Sequence, residues 1–132
     1  MHLHFYEYAT EIVLLFFLII TFLQSGVDKV KDWKGNLSWL KEHFAKSPFK
    51  NSVPLLLGII TVLEIAAGLL CIGGVIHLLL HDNKSFAFYG ALTSCLALLL
   101  LLFGQRINKD YTGAQTIVIY LIPTVFLLFL LQ

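Results

Sequence analysis

The sequence predicts an all-α integral membrane protein, an antiparallel four-helix bundle in a single domain of residues 1–132. Apolar residues make up 58% of the chain and charged residues only 13%, whereas soluble domains are roughly 45–50% apolar and about 25% charged. A soluble fold of 132 residues could not bury that much apolar surface. This composition excludes a disordered chain, a nucleic-acid-binding module and a disulfide-rich secreted domain.

Four apolar segments have about the length of 20 residues that a membrane-spanning helix needs. They are too long and too uniformly apolar for strands, and backbone polar groups in lipid must be satisfied internally, which favours helices. Short polar connections at 81–85 and 106–112 predict antiparallel neighbours. No basic residue precedes the first segment, so we expect no cleavable signal peptide. The predicted spans are residues 5–27, 53–80, 86–103 and 113–131.

The connection between the first two spans contains a short amphipathic helix, predicted at about residues 33–46. Trp33, Leu37, Leu40 and Phe44 recur at helical spacing, and polar residues occupy the opposite side. Such a helix is typical of segments that lie on a membrane surface.

Basic residues are distributed unequally between the two ends of the predicted bundle. The first and third connections carry most of the lysine and arginine, whereas the opposite side has only Lys84. By the positive-inside rule, this bias places both termini outside the cytoplasm.

Glu64 is the clearest candidate for a functional residue, because an ionisable side chain at membrane depth is costly. It shares a helix face with Thr61, Gly68 and Cys71, so we expect that face to point into the bundle. Two interpretations stay open: a residue that holds helices together, or a proton, quinone or ligand site.

Polar and charged residues are also expected at the end of the bundle where the second span begins. They could form a charged cap over Glu64 and the mouth of a ligand pocket, or they could simply anchor the loops, with the basic side chains reaching to the interface. No motif assigns catalytic residues, and His77 and His81, although four residues apart, lack the carboxylate that would indicate a metal site. The predicted cap comprises Gln24, Asp28, Lys29, Gln105, Arg106 and Asp110.

Three segments carry a resemblance to a known family. They are FLQSGVDK at 22–29, LEIAAG at 63–68 and FGQRINKDY at 103–111. In this order and at these spacings, the chain resembles the DoxX-like family of small four-helix membrane proteins over nearly its whole length. The positions that carry the resemblance are Gly26, Lys29, Glu64, Gly68, Gln105, Arg106 and Asp110.

The resemblance implies a function for the chain. The family takes its name from subunits of a thiosulfate–quinone oxidoreductase, which implies a small subunit of a quinone-linked redox complex in the bacterial inner membrane. The expected ligands are a quinone or a lipid, with no covalently bound cofactor, and the expected partners are the bilayer and other membrane subunits but no nucleic acid. An accessory subunit is favoured over an enzyme acting alone, because the difficult redox chemistry belongs to cofactors.

A second function stays open beside the first. Distant relatives include the receptor chaperone NACHO, which implies a non-enzymatic assembly, chaperone or scaffold subunit as the alternative. These relatives also suggest the opposite membrane orientation for the first connection.

Overall fold

The computed structural model describes residues 4–132, which form five helices and no strand. Four of the helices are long and apolar enough to cross a membrane, as expected of a multi-pass membrane protein. The fifth is short and lies between the first two long ones. The helices are α1 (Ala9–Lys31), α2 (Trp33–His43), α3 (Val53–His81), α4 (Ser85–Ile107) and α5 (Tyr111–Leu131).

Several helix ends differ from the predicted ones. Helix α1 begins at Ala9 instead of residue 5 and continues to Lys31, past the predicted end at 27. Helix α4 runs through Gln105 to Ile107 instead of ending at 103, and α2 ends at His43 instead of 46. The extensions at the ends of α1 and α4 arise because hydropathy marks only the apolar part of a helix and misses polar terminal turns that keep helical hydrogen bonds.

Helix α3 is the centre of the fold. It packs along α1 on one side and along α4 on the other, while α5 packs mainly on α4 and also contacts α1. The buried core includes Leu15, Phe22, Leu78 and Leu127. Large apolar side chains on the outer surfaces, such as Phe129, stay exposed, as expected where lipid would cover them.

Glycines bring the helix backbones of α3 and its neighbours into contact. A Cβ added to Gly74 would lie only 2.6 Å from the Cα of Ala87 in α4. A Cβ added to Gly68 would lie 2.5 Å from a methyl group of Leu23 in α1. Small residues at such crossings allow the close packing that holds membrane helices together.

Helix α2 is attached to the turn between α4 and α5. The Asn108 side-chain amide donates to the His43 carbonyl oxygen, with 2.9 Å between the nitrogen and the oxygen. At the start of α2, the Asp32 carboxylate accepts a hydrogen bond from the Gly35 N–H, which satisfies one of the free donors of the first turn.

Candidate functional site

Glu64 of α3 forms an ion pair with Lys29 of α1. The Nζ atom of Lys29, in the last turn of α1, lies 2.8 Å from Glu64 Oε1. Only 4% of the Glu64 side chain is exposed, against 18% of the Lys29 side chain. Lys29 also donates to Ser25 Oγ at 2.6 Å. The carboxylate is therefore neutralised by a cation that is itself held in place.

The ion pair leaves part of the Glu64 carboxylate without a conventional partner. Oε1 is fully buried, and among residues 4–132 no hydrogen bond of standard geometry reaches it. The close approach of Lys29 Nζ is thus an electrostatic contact with poor hydrogen-bond direction. A buried charge pair with unsatisfied lone pairs has a desolvation penalty that its mutual attraction does not fully offset. A pair that served only to hold the helices together would therefore add little to the stability of the fold.

The local sequence explains why these two side chains meet. Gly26, one turn before Lys29, is buried against α3, and a Cβ there would lie 2.7 Å from Ile65 Cγ1. Because Gly26 has no side chain, α1 approaches α3 closely beside Glu64. Thr61, Gly68 and Cys71 are buried on the same side of α3, so the predicted inward face of this helix is confirmed.

A cavity of about 510 Å³ lies beside Glu64, among α1, α3, α4 and α5. This volume falls within the roughly 300–1,000 Å³ of typical small-molecule pockets. Its wall combines apolar side chains from α1, α4 and α5 with a set of polar side chains that includes Glu64 of α3. The polar groups belong to Thr21, Gln24, Ser25, Asp28, Glu64 and Tyr120.

Gln105 and Asp110 belong to a second polar cluster, centred on His43 of α2. His43 Nε2 lies 3.1 Å from Gln105 Oε1 and 3.2 Å from Asp110 Oδ2. Both facing atoms are acceptors, so Nε2 carries the proton. Asp110 also accepts from the Gly113 N–H at 2.9 Å and thereby caps α5.

The predicted cap over Glu64 is therefore divided in the structure. Gln24, Asp28 and Lys29 lie at the Glu64 cavity or at Glu64 itself, whereas Gln105 and Asp110 bind His43. Arg106 places its guanidinium 4.8 Å from the centre of the Tyr111 ring. The division arises because Asp110 is occupied as a helix cap and α4 extends beyond its apolar part.

Sequence reasoning did not select Ser25, His43 or Tyr120 as site residues. Ser25 could have been found, because it lies one helical turn before Lys29. His43 could have been found from its position one turn after Trp39, whose ring it stacks on at 4.7 Å between centroids. No signal in the sequence links Tyr120 to Glu64, since α5 is distant in the chain.

A second cavity, of about 500 Å³, lies under α2. Its wall is almost entirely apolar and includes Trp39, Phe44 and Phe103. Among the described residues that line it, the polar side chains belong to Lys29, Asn36 and Gln105. Lys29 thus stands between the two cavities, because its ammonium group contacts Glu64 of the first.

The opposite end of the bundle carries a separate polar group. Ligand atoms of His4, Glu7 and Asp82 lie within 4.8 Å of one another. The Tyr8 hydroxyl donates to Asp82 Oδ1, and this hydrogen bond, with burial and the nearby acids, raises the pKa of Tyr8 to about 12. His77 stacks on Phe86 with 4.5 Å between ring centroids.

Comparisons with models of protein families, with curated proteins and with solved structures find no match to this chain.

Proposed function

We propose that this chain is a DoxX-like accessory subunit of a quinone-linked membrane redox complex, and that the Glu64 cavity receives the quinone headgroup. The observation that carries the proposal is that Glu64, which is paired with Lys29, lies in the wall of a 510 Å³ cavity with further polar groups. Ionisable groups at membrane depth mark ligand, ion or proton pathways by default.

The residues at the cavity suit a headgroup with two carbonyl oxygens. The Gln24 amide and the Tyr120 hydroxyl, which both line the cavity, can each donate a hydrogen bond to a carbonyl oxygen. Glu64 can hold a proton and release it to a reduced headgroup, and Asp28, which is exposed, is the group nearest to solvent among the acids that line the cavity. The electrons come from a partner subunit, since cofactors supply that chemistry.

The proposed membrane arrangement follows from charge and amphipathicity. The four long helices cross the bacterial inner membrane in antiparallel order, and α2 lies at the cytoplasmic surface. The first and third connections are cytoplasmic, and both termini face outward. The lysine-rich connection supports this arrangement through the positive-inside rule.

The first test is to extract the protein gently from its own membrane and identify its assembly by native mass spectrometry. We expect a larger assembly that includes a subunit with flavin, haem or iron–sulfur, together with a quinone mass. Recovery of a bare monomer or homodimer with no quinone would overturn the proposal.

The second test measures quinone reductase activity of that assembly with Glu64→Gln. We expect the activity to be lost while the complex stays intact, because glutamine keeps the shape but cannot carry the proton. The matched control is Glu42→Gln on the exposed side of α2, which should leave activity unchanged. Unchanged activity in Glu64→Gln would show that the quinone interpretation is wrong.

The alternative, an assembly or chaperone subunit, is distinguished by the same variant. In that case Glu64→Gln should weaken recovery of the complex without a specific effect on the turnover of the assemblies that do form. The observation that favours this alternative is the Trp39 side chain of α2, which is 59% exposed.

A further inference from the structure

The cavity under α2 has a polar side and an apolar interior, and the proposed quinone site does not use it. Its floor is made by apolar side chains of α3 and α4, including Leu57 and Leu100, which belong to helices long enough to span a membrane. Its roof is α2, through Trp39 and Leu40. An apolar chamber of this kind suits a hydrocarbon chain, because a polar ligand would have to bury polar groups there without hydrogen-bond partners.

The exposed residues on and around α2 are more often basic than acidic. Five lysines between residues 28 and 50, which include the end of α1 and all of α2, are exposed: Lys31, Lys34, Lys41, Lys46 and Lys50. Exposed acids in this segment are fewer, with Asp28, Asp32 and Glu42. A cluster of basic residues beside a membrane helix attracts anionic lipid headgroups, and Trp39 is of the residue type that settles at the headgroup level.

We infer that the space under α2 is a binding site for one anionic phospholipid. One acyl chain occupies the apolar cavity, and the phosphate lies among the exposed lysines at the edge of α2. Asn36 is half-buried and lines the cavity. Its side-chain amide supplies a hydrogen-bond donor at the point where the acyl chain of the lipid joins the headgroup.

The size and cover of this cavity favour a lipid acyl chain as its occupant over a helix of a partner protein. The cavity is covered by α2, which is held to α4 and to the α4–α5 turn by the hydrogen bonds of His43 with Gln105 and Asn108. A volume of about 500 Å³ holds a single chain but no helix, whose diameter with side chains is about 10–12 Å. This inference does not depend on the proposed redox role, because it concerns a different cavity.

Tryptophan fluorescence offers a local readout, because both tryptophans of the chain, Trp33 and Trp39, lie in α2. The protein is reconstituted in neutral phosphatidylcholine vesicles that contain increasing fractions of either brominated-chain phosphatidylglycerol or brominated-chain phosphatidylcholine. We expect saturable quenching at a much lower fraction of the phosphatidylglycerol than of the phosphatidylcholine. Equal quenching by the two lipids would overturn the inference.

Substitutions in the cavity test the position of the acyl chain, and substitutions of surface lysines test the position of the headgroup. Gly104→Leu fills the cavity, since a Cβ at Gly104 already lies 3.8 Å from the Phe44 ring, and it should abolish the saturable quenching. Its control is Gly73→Leu, at the other end of the bundle beside Phe86. Persistent saturable quenching in Gly104→Leu would show that the acyl chain of the lipid lies outside this cavity.

The surface variants Lys34→Gln and Lys41→Gln do not disturb packing, so they test the inference even if the glycine variant fails to fold. Each should reduce the preference for phosphatidylglycerol by roughly fivefold, whereas Lys84→Gln on the other side should not. An unchanged preference in both variants contradicts a phosphate among these lysines. A brominated free fatty acid that quenches as well as the phosphatidylglycerol would contradict the assignment to a phospholipid.

Discussion

At the scale of single residues, the Lys29–Glu64 pair is the feature most sensitive to substitution. The two charges lie 2.8 Å apart in a largely buried place, and removing one partner of a buried pair leaves an uncompensated charge. The two side chains are not equivalent, because Lys29 is the more exposed and lies in the last turn of α1. Lysine can turn toward the interface, whereas Glu64 has no such route.

We therefore expect Lys29→Met to destabilise the protein by about 3–5 kcal/mol, and Glu64→Gln to destabilise it less. The double variant should recover much of the loss, because it removes both charges. The free energies of unfolding of the wild type and the three variants, measured in the same detergent or nanodisc, form a double-mutant cycle that gives the interaction energy of the pair. Additive losses would mean that the two side chains do not interact.

A second residue-scale prediction concerns Tyr8, outside the membrane-spanning helices. Its hydrogen bond to Asp82 raises its pKa from 10.0 to about 12. Because the folded-state pKa is raised, this hydrogen bond stabilises the fold fully below pH 10 and is lost as the pH rises toward 12. Ultraviolet titration of the tyrosines should show a group ionising near pH 12.

Asp82→Asn should move that ionisation to lower pH, because it removes the charge and weakens the acceptor. Tyr8→Phe should remove it altogether and so identifies the residue. A high-pH transition that survives Tyr8→Phe would belong to another tyrosine.

At the scale of helices, backbone contact at glycines determines how α3 packs between its neighbours. The contact at Gly74 is the least adaptable, because the nearest atom of α4 is the Ala87 Cα, part of the backbone. At Gly68 the nearest atoms belong to the flexible end of Leu23. The α3–α4 crossing therefore tolerates added volume less than the α1–α3 crossing.

Gly74→Ala should destabilise the protein by about 1–3 kcal/mol, the usual cost of overpacking. The adjacent Gly73→Ala is the matched control, since its Cβ would lie 3.6 Å from the nearest Phe86 atom, and it should be neutral or slightly stabilising. Thermal unfolding of both variants decides the comparison. Equal effects at the two positions would contradict the close α3–α4 contact.

At the scale of the whole molecule, the proposed orientation can be tested directly. Single cysteines introduced at Ser38 in α2 and at Asn83 in the α3–α4 turn lie at the lysine-rich end and the lysine-poor end of the bundle. In intact cells, a membrane-impermeant thiol reagent should label the Asn83 position and not the Ser38 position. Cys71 and Cys95 are buried, so their background labelling should be low. The reverse pattern would place the lysine-rich connection outside.

The sequence by itself determined the class of the protein and much of its element order. Long apolar runs permit only helices in lipid, so the four spans and the inward face of α3 that includes Glu64 follow from local chemistry. The partners of Glu64 did not follow in full. Lys29 was expected nearby, but Ser25 and Tyr120 were not, and Gln105 and Asp110 were expected at Glu64 yet bind His43.

Only the tertiary structure decided these pairings. The glycine contacts fix how far one helix slides along another, and a shift of one helical turn, about 5.4 Å, changes which polar side chains meet. Helix ends also matter, because α4 and α1 extend past their apolar segments and carry Gln105 and Lys29 within regular helix. Packing between segments that are distant in the sequence determines both the register of the helices and the positions of their ends. No local pattern in the sequence predicts that packing.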